Sequence, residues 1–317
     1  MSDIIHQSIE NNLAKHMKGL CGLDSFQAVL NYGVLPAGKL FRPKLAVASF
    51  RDHSLVNHSE NQFLKSDQDI ALVASALEVH HAYTLIHDDL PCMDDDDYRR
   101  GRESTHKKYG QWQAVLAGDA LLHHSHALIG KCRMQNHYPL RAIFNWALGA
   151  KGLILGQVFD LGGLANSSFQ NLLRTHELKT GRLIQTSLLA GAWTANSTQT
   201  EKMNFALLKE QMRLGSHIGI VFQLLDDLSE LTGDLSSHER EINPFLRFPK
   251  ESFVTLEEGI DKIRKIQGKH VSNVLEEYFF KMKTLIKRDL EGAQSKISLH
   301  LCDQEIIKSV KILVETL

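Results

Sequence analysis

The chain has 317 residues, with 36 Lys and Arg against 37 Asp and Glu for a formal net charge of -1. It therefore offers no broad field to nucleic acid or acidic lipid, and neither is expected as a partner. The length suits one all-helical domain, residues 1–317. Met1-Ser2-Asp3-Ile4-Ile5-His6 lacks the basic and apolar regions of a signal, and no later stretch approaches the roughly 18 apolar residues of a membrane span, so a cytoplasmic location is expected.

Six prolines, at 36, 43, 91, 139, 244 and 249, leave 140–243 open to unbroken helices. Ala37-Gly38-Lys39-Leu40-Phe41-Arg42-Pro43 reads as a turn before two cations, and Asp52–Asp69 as a polar surface loop. Apolar Val79, Tyr83, Leu85 and Ile86 lead into an acidic cluster. Apolar runs at helical spacing predict inner helices over roughly 112–130, 143–161, 181–194 and 211–231. The spacing of His123, His124 and His126 does not aim three rings at one metal, and Trp112, Trp146 and Trp193 read as core or subunit packing. Thr232–Ser252, with Pro244 and Pro249, reads as a second loop. Val271, Val274, Leu275, Tyr278, Met282, Leu285, Ile286 and Leu290 trace the apolar face of an amphipathic helix. No alternating β-branched run is joined by an Asn-Gly or Asp-Gly turn, so strands are not expected. Cys21, Cys92, Cys132 and Cys302 are scattered without CxxC spacing and read as free thiols. The fold class expected is all-α, a helical bundle around a central cavity.

The densest chemical signal is His87-Asp88-Asp89-Leu90-Pro91-Cys92-Met93-Asp94-Asp95-Asp96-Asp97-Tyr98-Arg99-Arg100, six acids within ten positions followed by two arginines. A second pair, Asp226-Asp227, closes the apolar segment Gly219–Leu225, with Glu230 one helical turn beyond Asp226 on the same face. Apolar flanks carry both clusters to the ends of core helices, where so much like charge needs cations. Two such helix ends facing across a bundle would clamp a diphosphate through hard divalent ions. Lys39 and Arg42, and Lys179-Thr180-Gly181-Arg182, supply cations that suit phosphate. His81 lies seven residues before Asp88, two turns away on one face, so a group touching one substrate sits beside the metal site of another.

This pattern resembles the trans-prenyl diphosphate synthases of the bacterial farnesyl and geranylgeranyl type, from Gly38 through Gly233. The resemblance implies the isoprenoid synthase fold, and a first motif DDxxxxD in Asp88, Asp89 and Asp94. A second motif, DDxxD, is matched by Asp226, Asp227 and Glu230; both motifs would be ligands to three Mg²⁺ ions that Mn²⁺ can replace. It assigns Lys39, Arg42, His81 and Arg100 to isopentenyl diphosphate, and Arg99, Lys179 and Thr180 to the allylic diphosphate. Lys179 joins the aspartates in catalysis, Gln157 and Gln223 match active-site glutamines, and Tyr83 and Thr84 would set product length. Farnesyl diphosphate is the product implied, from isopentenyl and dimethylallyl or geranyl diphosphate, with geranyl or geranylgeranyl diphosphate as alternatives. A terpene cyclase would leave Lys39, Arg42 and His81 without a second diphosphate, and a non-catalytic regulatory homologue would not need both acidic motifs. A homodimer is implied as well. Three positions depart from the family pattern: Glu230 replaces an aspartate, Glu103-Ser104 replaces Pro-Thr, and the loop after Asp234 keeps only Arg240 in place of lysines.

Overall fold

The computed structural model describes residues 2–54, 68–134, 138–196, 205–231, 242–266 and 268–300, with side chains as far as Lys287. Within these residues the regular structure is helical apart from one short hairpin. The chain divides into two compact units, each made of two chain segments: 1–146 with 186–209, and 147–185 with 210–317.

The first unit holds α1 (Ser2–His16), α2 (Asp24–Val34), α3 (Phe41–His53), α4 (Asp69–Asp88), α5 (Thr105–Tyr109), α6 (Gln111–Gly130) and most of α7 (Tyr138–Leu148). Helix α4 is its axis. Ile70–His80 is buried without interruption, and α1, α2, α3 and α6 all pack against it. Small residues at 71, 74, 75, 76 and 82 let neighbours approach from every side, which is why the first half of α4, Ile70–Leu77, shows no polar face. The hairpin follows: β1 (Tyr98–Arg99) pairs antiparallel with β2 (Arg102–Glu103). The sequence gives no β-branched signal for it. Its source is the two-residue turn Arg100-Gly101, with φ of 55° and 75°, the left-handed pair that a tight hairpin turn of right-handed strands requires. Tyr32 anchors this hairpin by donating its hydroxyl to the Glu103 carbonyl at 2.8 Å, and Arg102 caps α2 through the carbonyls of Tyr32 and Leu35.

The second unit holds α8 (Leu153–Leu161), α9 (Phe169–His176), a π-helical turn (Glu177–Gly181) and the start of α10 (Arg182–Asn196). It continues with α11 (Phe205–Glu230) from residue 210, α12 (Pro244–Arg247), α13 (Pro249–Arg264) and α14 (Lys269–His300). A Cβ on Gly219 would collide with the Cα of Gly181, so glycine at both positions lets α11 cross the π turn backbone to backbone. Phe222 and Tyr278 stack at 4.8 Å, and Val221 lies on Gly259, which seats α14 and α13 on α11.

Three sequence expectations need correction. The helix expected over 143–161 is two helices, because Gly152 adopts φ -127°, ψ -114° and packs so closely on Ala147 that no side chain fits. Second, the 24 residues Tyr138–Leu161 are, by length and composition, apolar enough to cross a membrane, a stretch the sequence reading passed over; a third of the apolar window is buried in the structure. Third, the expected loop Thr232–Ser252 ends early. Pro244 and Pro249 open α12 and α13 at first-turn positions, where the missing N–H costs nothing, and Asn243 caps Phe245. Most of the Asp52–Asp69 loop, the loop residue Arg240 and Cys302 lie outside the described residues. Cys21, Cys92 and Cys132 are free.

Candidate active site

In the first unit the acidic motif begins as α4 ends. Asp89 stands at the C-terminal cap, and the chain turns back on itself so that the Asp94 N–H donates to the Asp88 carbonyl at 2.9 Å. Asp88 is half-buried, Asp94 is exposed, and Asp89 is nearly covered, at 3% exposure. Burial raises the Asp89 carboxyl pKa, while Arg99 works against that: its Nε donates to Asp89 Oδ1 at 2.8 Å, and its Nη2 reaches both Asp89 and Asp96 at 2.6 Å. The crowded acids therefore find their first counter-charge within their own loop. The sequence assigned Arg99 and Asp89 to different partners, the allylic diphosphate and a metal; the structure bonds them to each other.

His81 stands two turns before Asp88, half-buried. Arg42 Nη1 lies 3.1 Å from its Nε2. A guanidinium only donates, so Nε2 accepts and the imidazole is neutral. Burial first, then the charges of Arg42 and Arg100, hold its pKa well below the usual range, in agreement with that assignment. Arg42 comes from the first turn of α3 and Arg100 from the hairpin turn, so three separate elements bring Arg42, His81 and Arg100 together. Lys39 is exposed just ahead of α3. Tyr83 is buried, its ring edge-on to His80 at 4.6 Å and His87 at 5.8 Å, and the Thr84 hydroxyl donates to the His81 carbonyl at 2.8 Å.

In the second unit Gly219, Gln223 and Asp227 recur at intervals of four along one face of α11. The glycine crossing sets Gln223 against the π turn: Thr180 Oγ1 donates to Gln223 Oε1 at 3.0 Å, and Gln223 Nε2 donates to Asp227 Oδ1 at 3.0 Å. A π turn adds a residue to the helical repeat and recurs at functional sites. Here it delivers Lys179 as well, whose Nζ meets Asp160 Oδ2 at 2.6 Å. Asp226 and Glu230 are exposed on the same face, one turn apart, as their spacing predicts, whereas Asp227 turns inward. Burial, then Glu230, Asp226 and Asp160, push the Asp227 carboxyl well above the ordinary range. Its Oδ2 is buried and receives no hydrogen bond from the described residues; the nearby His176 Nε2, at 3.8 Å, is neutral because burial lowers the ring to about 4. Both side-chain polar atoms of Gln157 are buried without a partner among the described residues.

These unsatisfied groups suit an added cation and a polar ligand, since a buried carboxylate among other carboxylates is relieved by a metal ion. Among the described residues, no group of three or more acidic, His or Cys side chains forms a ready-made metal cage. Mg²⁺ keeps several non-protein ligands and takes only one or two carboxylates beside phosphate oxygens. Sequence reading missed Glu78, Asp160 and His176. Glu78 is one acid inside an apolar run, and Asp160 stands three residues after Gln157, a spacing that shares a helix face.

The polyprenyl synthetase family model matches residues 24–259. The chain is 35% identical over 233 residues to the farnesyl diphosphate synthase of Bacillus subtilis strain 168, covering 72% of this chain and 73% of that protein. It is 34% identical over 210 residues to a chloroplastic geranylgeranyl pyrophosphate synthase of Capsicum annuum, across 64% of this chain and 52% of that one. Among solved structures, a Helicobacter pylori geranyltransferase complexed with magnesium and isoprenyl diphosphate superposes with a TM-score of 0.67 and 26% identity, over 86% of this chain and 96% of that one. With both acidic motifs, the cationic cluster and the π turn inside the matched span, the chain belongs to the polyprenyl synthetase family and is a trans-prenyltransferase of the all-α isoprenoid synthase fold.

Proposed function

We propose that the protein condenses isopentenyl diphosphate with dimethylallyl and then geranyl diphosphate to give farnesyl diphosphate. The observation that carries this reading is the Arg42–His81–Arg100 cluster, a cationic site additional to the acidic motif that begins two turns further along α4. A cyclase acting on one diphosphate has no use for it. The name of the Bacillus subtilis relative supports farnesyl as product, and the Capsicum relative keeps geranylgeranyl as the competing outcome.

Mg²⁺ fits the residues described above: Asp88, Asp89 and Asp94 would hold it in the first unit, and Asp226, Asp227 and Glu230 would hold it in the second. Bound to the allylic diphosphate, the metal would neutralise charge that develops as the C–O bond breaks. The rest falls to the chain. Lys179 and Thr180 would grip the allylic diphosphate; Arg42, Arg100 and Lys39 would fix isopentenyl diphosphate with its alkene toward the ionising carbon. The new carbon–carbon bond then forms as diphosphate leaves, and a proton is lost to that departed diphosphate. Water would have to be excluded, since it would otherwise trap the cation. Incubating purified protein with isopentenyl and dimethylallyl diphosphates and Mg²⁺ should yield farnesyl diphosphate as main product by chromatography. Geranylgeranyl diphosphate would correct the length, and a cyclic or absent product would overturn the assignment.

We also propose that the active form is a homodimer. On the first unit, Trp112, Val115 and Leu116 of α6 and Trp146 of α7 are large apolar side chains between 40% and 64% exposed, an unusual expense for a free surface. On the second, Ile154, Val158 and Leu161 form an exposed stripe at helical spacing. Light scattering should give a mass near twice 35.7 kDa, and Leu116→Glu should shift it toward the monomer. A monomeric wild type that sediments with lipid vesicles would assign these faces to a membrane instead.

A further inference from the structure

The face of α4 that carries His81 and Asp88 also carries Glu78, one turn toward the N-terminus from His81. Glu78 is 2% exposed, in the middle of Ala76-Leu77-Glu78-Val79. A carboxylate so deep in apolar surroundings is costly unless cations meet it. Two do. Burial raises the Glu78 carboxyl pKa, and the two arginines act against that: Arg100 Nη2 lies 3.8 Å from Glu78 Oε1, and Arg42, which bonds His81, acts on the same carboxylate. Arg100 is confined from two further directions. Its backbone is in the left-handed region at φ 55°, which a non-glycine residue adopts under strain, and the Gly38 backbone lies so close to its guanidinium that a side chain at 38 would displace it.

Resting on the synthase reading above, we propose that Glu78 is a positioning residue. It holds the Arg42 and Arg100 guanidiniums together in the arrangement that receives the diphosphate of isopentenyl diphosphate. Two guanidiniums beside a neutral imidazole repel each other. The Glu78 carboxylate offsets it from beneath, so the cradle exists before substrate arrives and binding does not have to assemble it. Glu78 touches the substrate only through the arginines. Its effect belongs to one of the two substrates.

The test is Glu78→Gln, which keeps the shape and removes the charge. Varying each substrate in turn, KM for isopentenyl diphosphate should rise at least about tenfold, while KM for geranyl diphosphate stays within about twofold and kcat within about threefold. Glu78→Asp keeps the charge at shorter reach and should give a smaller rise in the same constant. In an Arg100→Lys background the Gln change should add little, because both changes disable one contact. An unchanged KM for isopentenyl diphosphate, or equal losses for both substrates alongside a lowered unfolding temperature in both variants, would overturn the proposal. If the wild type condenses nothing, the synthase reading fails separately. Calorimetric titration of isopentenyl diphosphate into wild type and Glu78→Gln then still decides: weaker binding to the variant upholds the role of Glu78, and equal or absent binding removes it.

Discussion

Replacing Asp226 or Asp88 by alanine should cost at least about a hundredfold in turnover, equivalent to about 2.7 kcal/mol of transition-state stabilisation, without a matching loss of thermal stability. The separation of the two effects comes from where these carboxylates stand. Asp226 is exposed at the end of α11 and Asp88 is half-buried at the end of α4, so removing either carboxylate leaves no cavity in a packed core. Asp227 is the poorer choice for this test. It is buried, and its backbone carbonyl accepts from Asn243 Nδ2 at 2.8 Å while its side chain accepts from Gln223, so its removal would mix folding with chemistry. For Asp226 the loss should shrink as Mg²⁺ is raised if the carboxylate serves to bind metal. Measuring kcat across Mg²⁺ concentration together with the unfolding temperature decides it; an Asp226→Ala enzyme with undiminished turnover rules out a metal-holding role.

The acidic motifs were legible because like charge at that density, flanked by apolar residues at helical spacing, has few physical solutions. At Asp226, Asp227 and Glu230 the helical period of 3.6 divides two exposed acids from one buried acid. Less legible was the means by which each charge is met. That Arg99 bonds Asp89, or that Lys179 bonds Asp160 nineteen residues away, depends on tertiary folding that no local spacing encodes. The π turn was invisible for a related reason: Leu178-Lys179-Thr180-Gly181 has no propensity that separates a five-residue repeat from an α-helical one, and only the fit of Gly181 against Gly219 favours it. Gly152 and the prolines 244 and 249 were misjudged in opposite directions. The glycine was absorbed into a helix that it breaks, and the prolines were taken for loop although each starts a helix.

Tyr83→Ala should lengthen the product beyond farnesyl diphosphate while leaving the first acidic motif competent. An allylic chain held by its diphosphate near Asp88 would extend along α4 as it grows, and Tyr83 lies about 7.5 Å back along that axis. It is not directly beneath Asp88. Five residues of α-helix turn the direction by about 140°, and the ring lies toward α6, touching His80, which bonds Ser125 Oγ, and His87, which bonds the Val115 carbonyl. Thr84, about 40° from Asp88, is the nearer wall but the smaller side chain. Tyr83 would therefore stop chain growth by filling the space between α4 and α6, and its loss would open room that the rigid His80–Ser125 contact keeps from collapsing. In a close-packed interior such a deletion costs about 3 to 5 kcal/mol of stability, so the variant should unfold at lower temperature and still turn over. Tyr83→Phe keeps the ring and should keep the wild-type product; burial already raises the phenol to about 12, so no proton from it is in play near neutral pH. Chromatography of products from the two variants reads the outcome. A folded, active Tyr83→Ala enzyme with the wild-type distribution would show that this ring packs helices and does not measure chains, and would move the limit to Thr84 or to another helix.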